Sequence, residues 1–65
     1  MSEIKIGDLV ANGSPKYFHI TLGMVTRKHE DKWVIEWFEG EHKFVNSILF
    51  DDVAKRFKEY AEEIK

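Results

Sequence analysis

Trp33-Val34-Ile35-Glu36-Trp37-Phe38 is the stretch that decides how this chain folds. Aromatic and β-branched side chains in so tight a run suit a pleated, half-buried surface, so it reads as a β-strand. Successive side chains alternate across a strand, which puts Trp33, Ile35 and Trp37 on one face and Val34, Glu36 and Phe38 on the other. Two indoles and an isoleucine make the first the core face. Glu36 marks the second as wetter, with Phe38 its one large apolar member. Downstream, Glu39-Gly40-Glu41 is a turn and His42-Lys43-Phe44-Val45 pairs back as the next strand of a hairpin. Asn46-Ser47 breaks that strand. Ile48-Leu49-Phe50 then reads equally as a short fifth strand or as the lead into a helix, since three apolar residues carry no period.

Upstream, Lys28 to Lys32 is a polar reversal, and Tyr17 to Arg27 gives a strand on either side of Gly23, where a bulge or bend is expected. The earlier part of that run also reads as a long irregular loop. Asn12-Gly13-Ser14-Pro15 is a loop, each residue favouring a turn by its own mechanism. Gly7-Asp8 is a bend leading into a strand at Leu9-Val10. After Asp51 the period changes. Val53, Phe57, Tyr60, Ala61 and Ile64 form one helical stripe, with Asp51 or Asp52 as the cap. Asp51 with Lys55, Asp52 with Arg56, Lys55 with Glu59 and Lys58 with Glu62 are acid-base pairs at i,i+4, each contributing a few tenths of a kcal/mol. A helix of about thirteen residues is too short to stand alone in water, so the stripe must dock on the sheet or on another chain.

With 65 residues there is room for one core, and the expectation is a single domain over 1–65, a β-rich part at 4–50 and a helix at 51–65. The 14% aromatic content is too high for the signature of a disordered chain. The absence of cysteine excludes disulfides, thiolate zinc sites and cysteine nucleophiles, and suits a cytoplasmic protein. Ten Lys and Arg stand against twelve Asp and Glu, which argues against wholesale nucleic-acid binding. The first residues lack a basic, apolar leader, and no run approaches 18 apolar residues, so neither export nor a membrane span is expected.

Gly7-Asp8-Leu9-Val10, Gly23-Met24-Val25-Thr26 and Val34-Ile35-Glu36-Trp37-Phe38-Glu39-Gly40 together resemble the small SH3-like barrels of the Tudor and KOW kind, especially short phage-encoded versions. The resemblance covers roughly residues 4 to 50. It implies a mainly β fold, a partly open barrel of four to five antiparallel strands, with a C-terminal α-helix where such barrels often end in a short strand. It also implies binding rather than catalysis, and the host-cell cytoplasm if the protein is phage-encoded. Such barrels bind peptides, methylated side chains, RNA, DNA or other subunits, and fold alone does not choose among them. Retained Tudor-like recognition would need an aromatic cage for a cationic ligand, and the candidates for that rim are Tyr17, Phe18, Phe38 and Phe44.

The remaining chemistry is sparse. His19, His29 and His42 lack the spacing of a metal-ligand pair, Ser14 and Ser47 belong to turns, and the paired acids flank turns or helix ends where water screens them. The four glycines are scattered at bends and form no phosphate loop. No catalytic residue, metal or cofactor is expected. The leading expectation is a non-enzymatic protein-binding module, a small accessory protein docking on a partner through the rim or through the helix face Val53, Phe57, Tyr60 and Ile64. The alternative is a nucleic-acid-binding module in which Lys16, Arg27, Lys28, Lys32 and Lys43 meet at one end of the barrel and Phe18 or Phe38 stacks on a base. A homo-oligomer whose helix packs in trans is compatible with either.

Overall fold

A computed structural model describes residues 3–14, 16, 19–40 and 43–64. It contains β1 (Leu9–Ser14), β2 (His19–His29), β3 (Lys32–Gly40), β4 (Lys43–Phe50) and α1 (Asp51–Glu63). The strands form one antiparallel meander in the order β1-β2-β3-β4, an open sheet with β1 and β4 at its edges. Ile4, Val10, Val25, Trp33, Ile35, Trp37 and Ala54 make the core between the sheet and α1. Among the described residues no helix is long and apolar enough to cross a membrane.

The alternation expected in β3 holds from Ile35 to Phe38, with Ile35 fully buried, Trp37 7% exposed and Phe38 half exposed on the opposite face, but Val34, expected on the wetter face, is buried as well. Trp37 meets Phe57 of α1 edge-on, ring centres 5.7 Å apart. Across the sheet, Trp37 pairs with Gly23, and a Cβ at Gly23 would lie 2.7 Å from the indole and 3.0 Å from Ile35. Gly23 is therefore the seat of the indole and not the bulge. The bulge falls at Thr26, between Val25 and Arg27, where the Thr26 hydroxyl donates to the Val34 carbonyl at 3.2 Å.

Helix α1 packs chiefly against β1 of its own sheet. Its docking line runs through Ala54, Phe57 and Ala61: the alanines are buried and Phe57 is packed against the core. Val53 and Tyr60 are half buried and Ile64 is exposed, so the expected stripe is rotated toward small residues that let the helix axis approach the sheet. Neither aspartate caps the helix. Phe50 occupies the cap position without a side-chain bond, and Asp51 in the first turn accepts from the Trp33 indole N–H at 3.0 Å and pairs with Lys55 at 2.9 Å.

Ahead of β1, the Asp8 N–H donates to the Lys5 carbonyl at 3.1 Å, closing a turn with Gly7 at φ +95°. That dihedral is the positive value a type II turn requires at its third residue. The Gly7 N–H donates to the Val25 carbonyl at 2.8 Å and the Val25 N–H donates to the Asp8 carbonyl at 2.9 Å, continuing the sheet pairing upstream. Two loops expected from the sequence are strand instead. Asn12, Gly13 and Ser14 lie in β1 opposite Thr21, Ile20 and His19, and Asn46-Ser47 does not break β4 but pairs with Glu36 and Ile35. Ladder hydrogen bonds to a neighbour outweigh the weak local preference for turns at these positions. Ile48-Leu49-Phe50 accordingly completes β4. The β2–β3 reversal narrows to Glu30-Asp31, with Glu30 at φ +59°. Pro15, Glu41 and His42 lie outside the described residues.

Candidate functional site

The sheet face turned away from α1 is the second surface that the register builds. Leu9, Met24, Glu36 and Asn46 follow one another across the four strands, and Ala11, Leu22, Phe38 and Phe44 form the next row. Between these rows lies a groove of about 260 Å³ walled by Leu9, Leu22, Met24, Phe38 and Phe44, its lining completed by Gly23, Thr26 and Glu36. Phe38 and Phe44 are 50% and 60% exposed, their rings 5.5 Å apart and tilted by 59°. Five half-exposed apolar side chains present on the order of 500 Å². That is within the size of the largest apolar patch on a typical monomer, the kind that is often functional. Glu36, half buried, is the one carboxylate lining the groove among the described residues.

Phe38 and Phe44 were legible as rim candidates; Tyr17 and Phe18 lie outside the described residues. Leu9, Leu22 and Met24 were missed. Each alternates with another apolar or small residue, Val10, Gly23 or Val25, so both faces of β1 and β2 are apolar and the contrast that marks a half-buried strand vanishes. The signal that was available is cross-strand: three strands each offering an apolar residue on the Phe38 side of the sheet.

The five basic candidates are not brought together. Arg27, Lys28 and Lys32 flank the β2–β3 turn, whereas Lys16 and the backbone of Lys43 belong to the opposite end of the sheet. The two ends are separated by the eleven-residue β2, roughly 30 Å. The first three are also divided between faces. Lys28 lies over the Trp33 ring at 5.1 Å, and Lys32 lies over Phe50 at 5.2 Å and beside Asp31 at 3.5 Å.

Of the expected helix face, Phe57 is committed to the chain's own core and Val53 and Tyr60 are half covered. The Tyr60 hydroxyl is buried with no hydrogen-bond partner among the described residues. Two carboxyls are perturbed by the packing of α1. Burial pushes the Asp8 carboxyl up, but the Lys58 ammonium at 2.9 Å and the Lys5 N–H at 2.7 Å outweigh it and hold the carboxyl below its ordinary value of 3.8. The Trp33 indole and then Lys55 hold Asp51 low in the same way, and Asp51 in turn raises Lys55.

Comparison of the chain with protein-family models, with curated proteins and with solved structures returns no match.

Proposed function

We propose that this protein is a non-enzymatic docking module of SH3-like build that binds an extended protein segment on the sheet face opposite α1. The observation that carries this reading is the groove between Phe38, Phe44, Leu22, Leu9 and Met24 with Glu36 at its edge. Its chemistry selects the partner. An apolar side chain fills the groove, and a lysine or arginine nearby in the same segment reaches the Glu36 carboxylate, in surroundings of low polarity that strengthen the pairing. The two phenylalanine rings also offer their faces to such a cation. The alternative of nucleic-acid binding is weakened by the division of the basic side chains between two ends and two faces of the sheet.

A random-peptide display library selected in parallel on the wild type and on the double variant Phe38→Ser/Phe44→Ser tests the reading. Peptides that pair an apolar residue with Lys or Arg should be enriched on the wild type alone. Equal enrichment on both proteins, or tight and salt-sensitive binding of single-stranded RNA instead, overturns it.

A further inference from the structure

The open edge of the sheet carries a second and independent message, which does not depend on what binds the groove. Strand β4 pairs with β3 on one side only, and from Phe44 to Phe50 it reads Phe-Val-Asn-Ser-Ile-Leu-Phe, with no charge, glycine or proline. Proteins usually blunt an edge strand with lysine, proline, a bulge or a covering element, because its unpaired N–H and carbonyl groups are a template for another chain. Among the described residues none of these devices blunts β4 between Phe44 and Phe50, and its register with β3 runs unbroken over those residues. The opposite edge differs: β1 is short, α1 packs chiefly against it, and the Asp8–Lys58 ion pair ties it to the helix.

Side-chain exposure points to the edge rather than to a face. Phe44, Ile48 and Phe50 are 60%, 56% and 59% exposed on the groove side, and Val45 is 45% exposed on the α1 side. A ligand lying on one face would leave the other uncovered. A strand added at the edge reaches both, because its own side chains alternate between the faces.

We propose that a second copy of this chain occupies the edge, its β4 antiparallel to the first about a two-fold axis at Ser47. A two-fold axis perpendicular to the sheet keeps each face continuous and requires residues of like orientation to oppose one another. Centred on Ser47, the register sets Phe44 against the second copy's Phe50 and Asn46 against its Ile48 on the groove side. On the α1 side it sets Val45 against Leu49. Both ends of the junction thus carry an aromatic cross-strand pair, no like charges meet along it, and the strand is complementary to itself. Four roughly half-exposed side chains contribute about 400 Å² per copy. With the strand backbones the total approaches about 1,000 Å², the low end for specific interfaces, so a reversible dimer in the micromolar range is expected. The product is a continuous eight-stranded sheet with a groove on each half.

Because the chain has no cysteine, single-cysteine variants report the geometry directly. Opposed residues of an antiparallel pair have Cα atoms about 4.5 to 5.5 Å apart, within disulfide reach. Sedimentation equilibrium from micromolar to millimolar protein should show the mass rising from 7.7 kDa to twice that value and no further. Ser47→Cys should oxidise readily to a covalent dimer, Thr26→Cys should not, and Ile48→Lys or Val45→Lys should stay monomeric with an unchanged unfolding midpoint. Phe38→Ser, on β3, should dimerise as the wild type does, which separates this proposal from the docking reading. A mass fixed at 7.7 kDa throughout overturns the proposal. So does growth beyond the dimer, or a dimer that survives both lysine variants and cross-links through Thr26→Cys.

Discussion

Trp37 and Phe38 are neighbours in sequence with opposite fates. Trp37 lies against Phe57 and the flat Gly23 surface, and its replacement by alanine leaves a void that the two layers cannot close. A loss of roughly 3 to 5 kcal/mol is expected for Trp37→Ala in urea unfolding, against less than about 1 kcal/mol for Phe38→Ala, whose ring is already half in water. Equal losses would show the two faces to be wrongly assigned. Tyr60 supplies a change in the other direction. Its buried hydroxyl has no hydrogen-bond partner among the described residues, so Tyr60→Phe removes an uncompensated polar group and keeps the ring. Thermal unfolding should show the variant as stable as the wild type or more so, by up to about 1 to 2 kcal/mol. A clear loss would mean that the hydroxyl is bonded after all.

Among the elements, β3 was readable because one face is large and apolar and the other carries an acid, which is the contrast periodicity detects. Strand β4 was readable only to Val45. Asn46 and Ser47 favour turns locally, and only their pairing with Glu36 and Ile35 keeps them in the ladder, a long-range fact that a local pattern does not contain. The helix was legible in position and, through Phe57 and Ala61, in part of its face; Ala54 was missed because a small residue adds little to an apolar stripe. Two of the five groove walls, Phe38 and Phe44, were legible because they belong to the readable hairpin of β3 and β4, and the three on β1 and β2 were hidden by strands apolar on both sides. The helix covers the only face bearing the two tryptophans, so truncation after Phe50 should abolish the cooperative unfolding transition and quench the near-ultraviolet circular dichroism of the indoles. A truncated chain that still unfolds cooperatively would show that the sheet is stable by itself.

The join between α1 and the N-terminal turn also sets an acid response. Asp8 is held below its ordinary value in the folded protein, so the unfolded chain binds the proton more tightly. The contribution of Asp8 is therefore complete above about pH 4 and is lost as pH falls through the lowered value. Asp51 acts with the same sign, through the Trp33 indole and Lys55. Asp8→Asn should cost roughly 1 to 2 kcal/mol at neutral pH and flatten the fall of stability below about pH 4. An acid profile identical to that of the wild type would remove the Asp8–Lys58 pair from the account of how α1 is fastened.

Over the whole molecule, an open sheet spends one face on its core and leaves the other to water, where the register gathers Leu9, Leu22, Met24, Phe38 and Phe44 beside Glu36. An exposed apolar patch of this size is often functional. The measurement that bears most directly on this face is a two-dimensional NMR titration of labelled protein at low and physiological salt. The ligands are a peptide selected from the display library and single-stranded RNA. The docking reading predicts peptide-induced shifts centred on Leu22, Met24, Phe38 and Phe44 that persist at physiological salt, with RNA inert. Shifts centred on Arg27, Lys28 and Lys32 that appear with RNA and fade as salt is raised would contradict it.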